Sequence, residues 1–239
     1  MEGLMKKIFF IVLSFMLLTS CNEKQEEKQV YNEITFQEIQ TNFKNIQEDP
    51  KYPDLKIDKS RTDRVLDTYD EFENKVIYTH LNEKPTDKIK FSYSVKEIKN
   101  DPNTLIKPSD FNILDMTVTF SCPVKNYDLF NKVMLIVDGE HSEFKTEPGQ
   151  RDVEQVKSNG IIILNAPFKL NPDMYGLLLY LANAKEIKIR FTNDKGKHQD
   201  FVISNEEKEK IKDMYEWYHF LSILQMLTDA LIQEKNKSL

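Results

Sequence analysis

The spacing of apolar positions changes several times along this chain, and each change marks an element. A run free of charge, Ile8 to Leu18, comes first, directly after Lys6 and Lys7. The stretch Asn22 to Gln29 then has no aliphatic or aromatic side chain. Beyond it Phe36, Ile39, Phe43 and Ile46 recur at 3-4-3 spacing, which places them on one stripe of a helix. Thr35-Phe36-Gln37-Glu38 forms a capping box at its start, and Pro50 and Pro53 end it. No element is assigned from Lys56 to Asp70.

From Val76 the period is two. Val76 to Leu81, Ile89 to Val95, and Ile113 with Met116-Val118-Phe120-Cys122-Val124 read as successive strands rich in β-branched and aromatic residues. Val133 to Val137 runs into Asp138-Gly139 and returns through Glu140 to Phe144, a dipeptide and flanks that suit a tight hairpin. Val153 to Val156 and Ile161 to Leu164 flank Ser158-Asn159-Gly160 in the same way. Repeated hairpins imply an antiparallel sheet with at least one solvated face.

Asn171-Pro172-Asp173 supplies a cap, a proline at the first helical position and a first-turn acid, so a helix is expected to about Asn183. Ile187-Ile189-Phe191, a turn at Asp194 to Lys197, and a strand through Phe201 to Ile203 follow. Ser204 with Glu207 then caps a long terminal helix. The predicted class is α+β: an antiparallel sheet region with an N-terminal helix, one helix before the last hairpin, and a long C-terminal helix.

That last helix has two apolar faces. Ile211, Met214, Tyr215 and Tyr218 share one, with Glu209, Lys212, Asp213 and Glu216 on the expected solvent side. Phe220, Ile223, Leu224, Leu227 and Leu231 lie about half a turn round from it. Either the helix breaks between Tyr218 and Phe220, or its second half packs on a different partner. The two candidate partners are the Phe36 to Ile46 helix of the same chain and a second protein docking in the manner of an amphipathic helix. The helical spacing of Tyr215, Trp217, Tyr218 and Phe220 reads as core packing rather than a sugar-stacking surface.

The N-terminal apolar run is shorter than the roughly 20 residues that span a bilayer, but it suits a secretion signal. It ends in Leu18-Thr19-Ser20-Cys21. This large-small-small-Cys pattern resembles the lipobox of bacterial lipoproteins. The resemblance implies cleavage before Cys21, a diacylglycerol on its sulfur and usually an acylated new amino terminus, palmitate being a typical chain. Met5-Lys6-Lys7 makes a better signal start than Met1-Glu2. Burying each methylene contributes about 0.8 kcal/mol, and two acyl chains suffice for stable attachment where one does not. The expected organisation is a signal peptide over 1–20, lipidated Cys21 and a tether over 21–33, and one globular α+β domain over 34–239.

With Cys21 lipidated, Cys122 has no intramolecular partner, and its alternating run marks it as a small core residue. Without residues 1–20 the chain carries 31 basic and 38 acidic residues, a formal charge of −7 against −6 for the whole. An acidic body is a poor partner for nucleic acid, and none is expected. No glycine-rich phosphate loop is present, nor Gly-x-Ser-x-Gly, His-Glu-x-x-His or Cys-x-x-Cys. His80, His141, His198 and His219 are too far apart in sequence for a local metal motif. The acids Asp63, Asp67, Asp70, Glu71 and Glu73 supply oxygens of the kind calcium takes, but not at EF-hand spacing, and a solvated face is the simpler reading. No catalytic, cofactor or metal residue is assigned.

These readings favour a membrane-anchored extracytoplasmic lipoprotein, a binding or structural module of the cell envelope. Its expected location is the outer membrane or the outer face of the cytoplasmic membrane. Two alternatives are an envelope hydrolase or metal-dependent enzyme assembled from His141, His198 and distant acids, and a carrier of a small apolar ligand in a cavity lined by Phe91, Val118 and Phe120.

Overall fold

The computed structural model describes residues 30–124, 130–145, 154–158 and 161–238. The signal segment, Cys21, the tether as far as residue 29 and the Asn159-Gly160 turn lie outside them. The fold is α+β, with an N-terminal helix, a helix before the last strands and a long C-terminal helix.

The chain begins with β1 (Ile34–Thr35) and α1 (Phe36–Glu48), and the capping box at Thr35 and Glu38 is formed. A 3-10 turn at Pro53–Leu55 follows, and the stretch without a sequence assignment holds the short helix α2 (Lys59–Thr62) and β2 (Val65–Asp70). Next come β3 (Lys75–His80), β4 (Ile89–Lys96), β5 (Leu105–Ile106) and, after a 3-10 turn at Pro108–Phe111, β6 (Ile113–Val124). The hairpins β7 (Phe130–Val137) with β8 (Glu140–Lys145) and β9 (Glu154–Ser158) with β10 (Ile161–Leu170) follow as expected. In the first, Asp138 and Gly139 take φ of 49° and 93°, the left-handed values that a tight turn of this kind requires. A 3-10 turn at Pro172–Met174 precedes α3 (Gly176–Ala182), so the helix expected from Asn171 to Asn183 is split in two. The hairpin β11 (Ile187–Asn193) and β12 (His198–Val202) leads into α4 (Asn205–Lys237).

Besides the short antiparallel pair of β1 with β5, two larger antiparallel sheets form among the described residues. One has six strands in the order β2-β3-β4-β6-β10-β9, and the other has four in the order β12-β11-β7-β8. Along β6, Met116, Val118, Phe120, Cys122 and Val124 are all buried. Register sets Met116 opposite Tyr93 and Leu170, Val118 opposite Phe91 and Phe168, and Phe120 opposite Ile89 and Ala166. Directly opposed residues of an antiparallel ladder share a face, so one apolar face runs across β4, β6 and β10.

Two different covers close that face. Over β6 and β10 lies the four-stranded sheet, whose Phe144 packs on Phe120 at 5.0 Å and on Phe168 at 5.5 Å between ring centroids. Over β3 and β4 lies the first half of α4, where Tyr78 meets Trp217 at 5.2 Å and the Tyr93 hydroxyl donates to the Met214 carbonyl at 2.9 Å.

The change of face in α4 is accommodated without a break. The helix is continuous for 33 residues, about 50 Å at 1.5 Å per residue, and its second half packs on other elements. Phe220 meets Phe43 of α1 edge-to-face at 5.3 Å, and α3 and the Pro108–Phe111 turn also lie against α4. Leu221, Leu224, Leu227 and Ile232 are buried in this layer. The same-chain partner anticipated from the sequence is therefore present, with two more segments beside it. No helix among the described residues is long and apolar enough to cross a membrane.

Phe120 is fully buried where the two sheets meet. Phe120→Ala is expected to lower the unfolding free energy by about 3–5 kcal/mol. Phe72, fully exposed in the turn between β2 and β3, is expected to tolerate alanine within about 0.5 kcal/mol. Urea unfolding of both variants checks the pair.

Candidate functional site

Among the described residues, two places that combine polar chemistry with enclosure stand out. The first is the contact between α4 and the β2–β4 end of the six-stranded sheet. α4 carries Glu207, Lys210 and Asp213 at three-residue intervals, on the flank of the helix that also presents Ile211 and Met214 to the sheet. All three are buried, so Asp213 does not lie on the solvent face that the sequence pattern suggested. The reason is the segment left unassigned: α2 and the residues after it fold over the helix and bring their cations to it.

The Asp213 side chain is 2% exposed and accepts from three donors. Arg61 Nη1 donates to Oδ1 at 2.7 Å, while Arg64 Nη1 and His80 Nε2 reach Oδ2 at 3.2 Å and 3.1 Å. Arg61 also grips Glu209 through Nη2 at 2.9 Å. One turn earlier, Lys210 Nζ donates to Asp87 at 2.8 Å, and the Lys88 N–H donates to Glu207 at 2.6 Å. Each buried charge is thus met by an opposite charge or a backbone dipole, as burial requires.

This cluster has the parts of an acid–base site but not its freedom. His80 Nδ1 accepts the Asn82 N–H at 3.1 Å, so the ring proton sits on Nε2 and points at Asp213. Neither ring nitrogen is left to exchange a proton with a substrate. Burial raises the Glu83 carboxyl above the ordinary glutamate range, against the opposing pull of Lys90. The recess that Glu83 shares with His80, Asp87, Lys90 and Lys210 holds only about 10 Å³ of free space, room for roughly one water. The arrangement can clamp a helix to a sheet and seat a water; it does not admit a substrate.

The second place is a cavity of about 160 Å³ between the two sheets, at the end of β6 beyond Phe120. Cys122, Val124, Phe130 and Phe191 line its apolar part, with the two phenylalanine rings edge-to-face at 4.7 Å. Asn193, Lys197, His198 and Gln199 line its polar part. Cys122 is buried, as its alternating run suggested, with Sγ 3.8 Å from Gln199 Oε1 on the facing sheet. Burial pushes its thiol up to about 12, which keeps it uncharged at neutral pH and unlike a reactive cysteine.

The other residues singled out in the sequence scatter. His141 and His198 lie on β8 and β12, the opposite edges of the four-stranded sheet, and no shared site joins them. His141 Nδ1 lies 3.5 Å from Met134 Sδ, and His219 stacks on Tyr215. Among the acids, Asp63 pairs with Lys59, Asp70 caps the turn by accepting the Phe72 N–H, and Glu73 pairs with Lys75. No group of three or more His, Cys, Asp or Glu side chains among the described residues is placed to hold a metal ion. Trp217 is half-buried between Tyr78 and Phe220, in the core role its spacing implied. Phe91, Val118 and Phe120 are buried; Phe91 borders the recess of about 10 Å³ beside His80, and the larger cavity is lined by other residues. Lys197 and Gln199 of the observed cavity were not singled out beforehand, because turn and edge-strand residues carry no periodic signal.

The described residues thus form an α+β protein with two main antiparallel sheets and one long helix packed against them. No protein-family model matches it, and neither does any curated protein sequence. Among solved structures it is similar to invasion associated protein B from Bartonella henselae, with 14% identity and a TM-score of 0.26 over 63% of this chain and 99% of that one. So loose a likeness carries no inference about what this protein does.

Two outcomes follow for these sites. Asp213→Ala, which strands Arg61, Arg64 and His80 around a missing charge, is expected to destabilise the fold by about 3–5 kcal/mol in urea unfolding. For Cys122 the folded thiol holds its proton to a higher pH than the unfolded one, whose ordinary value is 9.0. Its contribution to stability is therefore complete below pH 9 and is lost as pH rises toward 12. Tyr78, pushed up to about 12 by burial, acts in the same direction, so the wild type loses stability across this window. Cys122→Ala is expected to make that loss shallower, as measured by unfolding at a series of pH values.

Proposed function

We propose that this protein is a lipoprotein held on the extracytoplasmic side of a membrane through lipid on Cys21. Its α+β body then acts as a binding or structural module of the cell envelope, with the outer membrane or the outer face of the cytoplasmic membrane as its location. The observation that carries this reading is Lys6-Lys7, an apolar run and Leu18-Thr19-Ser20-Cys21 in that order, followed at once by a polar segment.

The way the chain enters the fold supports it. Tyr31 is fixed on both backbone groups by the last turns of α4: its N–H donates to Asn236 Oδ1 at 2.7 Å, and its carbonyl accepts from Asn236 Nδ2 at 2.9 Å. Lys235 stands over the Tyr31 ring at 5.4 Å and pairs with Glu38 at 2.8 Å. A pull from Cys21 would reach the body at this lock rather than through the sheet. The ten residues from Cys21 to Tyr31 reach at most about 35 Å fully extended. The acidic balance of the body disfavours its lying flat on anionic headgroups, so anchoring is assigned to the lipid alone.

The test compares the membrane-extracted protein with a Cys21→Ala variant by intact mass and by fractionation. Loss of residues 1–20 with a diacylglycerol and acyl mass on Cys21, and disappearance of both mass and membrane association in the variant, are expected. An unmodified wild-type chain in the soluble fraction contradicts the reading.

A further inference from the structure

We propose that the cavity between the two sheets at Cys122 is a binding site for a small monocarboxylate with a compact apolar or aromatic body, about the size of benzoate. This inference rests on the cavity and not on the anchor, so each stands if the other fails.

Volume sets the size class. About 160 Å³ matches the space of roughly 150 Å³ that holds one benzene ring in an apolar protein cavity, and falls well short of a drug-sized pocket. The apolar part fits a ring or a branched chain. Phe130 and Phe191 present an edge-to-face pair, Val124 and Cys122 complete the wall, and all four are under 9% exposed. The neutral thiol adds no charge to that wall.

The polar part sets the charge class through its donors and its cation. Asn193 Oδ1 accepts the N–H groups of Lys195 and Lys197, each at 3.0 Å. Gln199 Oε1 faces the Cys122 thiol. The Asn193 amide therefore has its N–H groups left for a ligand, and the Gln199 amide, with its oxygen toward the thiol, can add its own. Lys197 supplies a full positive charge, and the His198 ring can donate through either nitrogen in the appropriate tautomer. No carboxylate is among the described lining residues. Asp200, on the same strand as His198, is held bidentately by Arg190 at 2.7 Å and 2.7 Å. Lys88 adds a further cation at the sheet junction, standing over the Phe201 ring at 5.3 Å. Donors and cations around an apolar slot complement an anionic head on an apolar body.

The probe is 4-fluorobenzoate, titrated into the intact chain and followed by fluorine NMR, with 4-fluorobenzyl alcohol and 4-fluorobenzylamine as neutral and cationic counterparts. Saturable binding of the benzoate is expected, at least tenfold tighter than the alcohol and with no saturable binding of the amine. Cys122→Phe, which fills the slot, is expected to abolish it. Lys197→Glu, an exposed turn substitution that leaves the core intact, is expected to weaken it at least tenfold. Absence of saturable binding to the wild type, benzoate affinity unchanged by Lys197→Glu, or equal binding of the amine each overturns the proposal.

Discussion

Asp213 is a carboxylate withdrawn from water on a helix that must also bury Ile211 and Met214, and the arrangement of the surrounding elements follows from that demand. A buried carboxylate without partners is unstable by several kcal/mol. It is held here by Arg61 and Arg64 from the α2 region and by His80 from the end of β3. Meeting that need draws residues 58–64 over the helix and fixes the end of β3 against it. Lys210 with Asp87 and Glu207 with the Lys88 N–H do the same for the start of β4. Apolar packing alone would tolerate a helix sliding by a turn along the sheet. Charges spaced at 207, 210 and 213, each with its own partner, accept one register. Buried polar pairs serve this role where register must be unique.

Past Trp217 the demands on the helix change. Its second half meets a layer that includes α1 and the Pro108–Phe111 turn, and its apolar positions rotate accordingly. One continuous helix thus covers part of the six-stranded sheet and also ties down the chain's entry at Tyr31. The rest of that sheet's apolar face needs a second cover, which the four-stranded sheet provides around Phe120, Phe144 and Phe168. Where the two sheets part beyond Phe120, the cavity at Cys122 is what remains unfilled.

Much of this was legible in the sequence because it rests on local rules. The Thr35–Glu38 and Ser204–Glu207 capping boxes, the Asp138-Gly139 turn and the alternation through Met116 to Val124 each specify an element by neighbours within a few residues. The exchange of faces in α4 was legible too, together with one of its partners. What escaped detection depends on distant residues. Val65 to Asp70 is mostly exposed on both faces, so it carries no alternation, although it pairs along its whole length with β3. Asp213 read as solvent-facing because its partners Arg61 and Arg64 lie about 150 residues away in a stretch with no periodic signal. The polar side of the cavity consists of turn and edge residues whose convergence only the sheet order creates. His141 and His198 show the converse: similar positions beside turns, placed by topology on opposite edges.

Whether the Asp213 cluster seats α4 on the sheet is decided by a double-mutant cycle. Arg61→Ala, Asp213→Ala and the double variant would be unfolded in urea, with the fluorescence of Trp217, the single tryptophan beside Tyr78, reporting the docked helix. A coupling of about 2 kcal/mol or more is expected, in the upper part of the range for residues in contact. A coupling near zero, with the two losses simply adding, would mean that the carboxylate and the guanidinium are neighbours without dependence, and would contradict that seating.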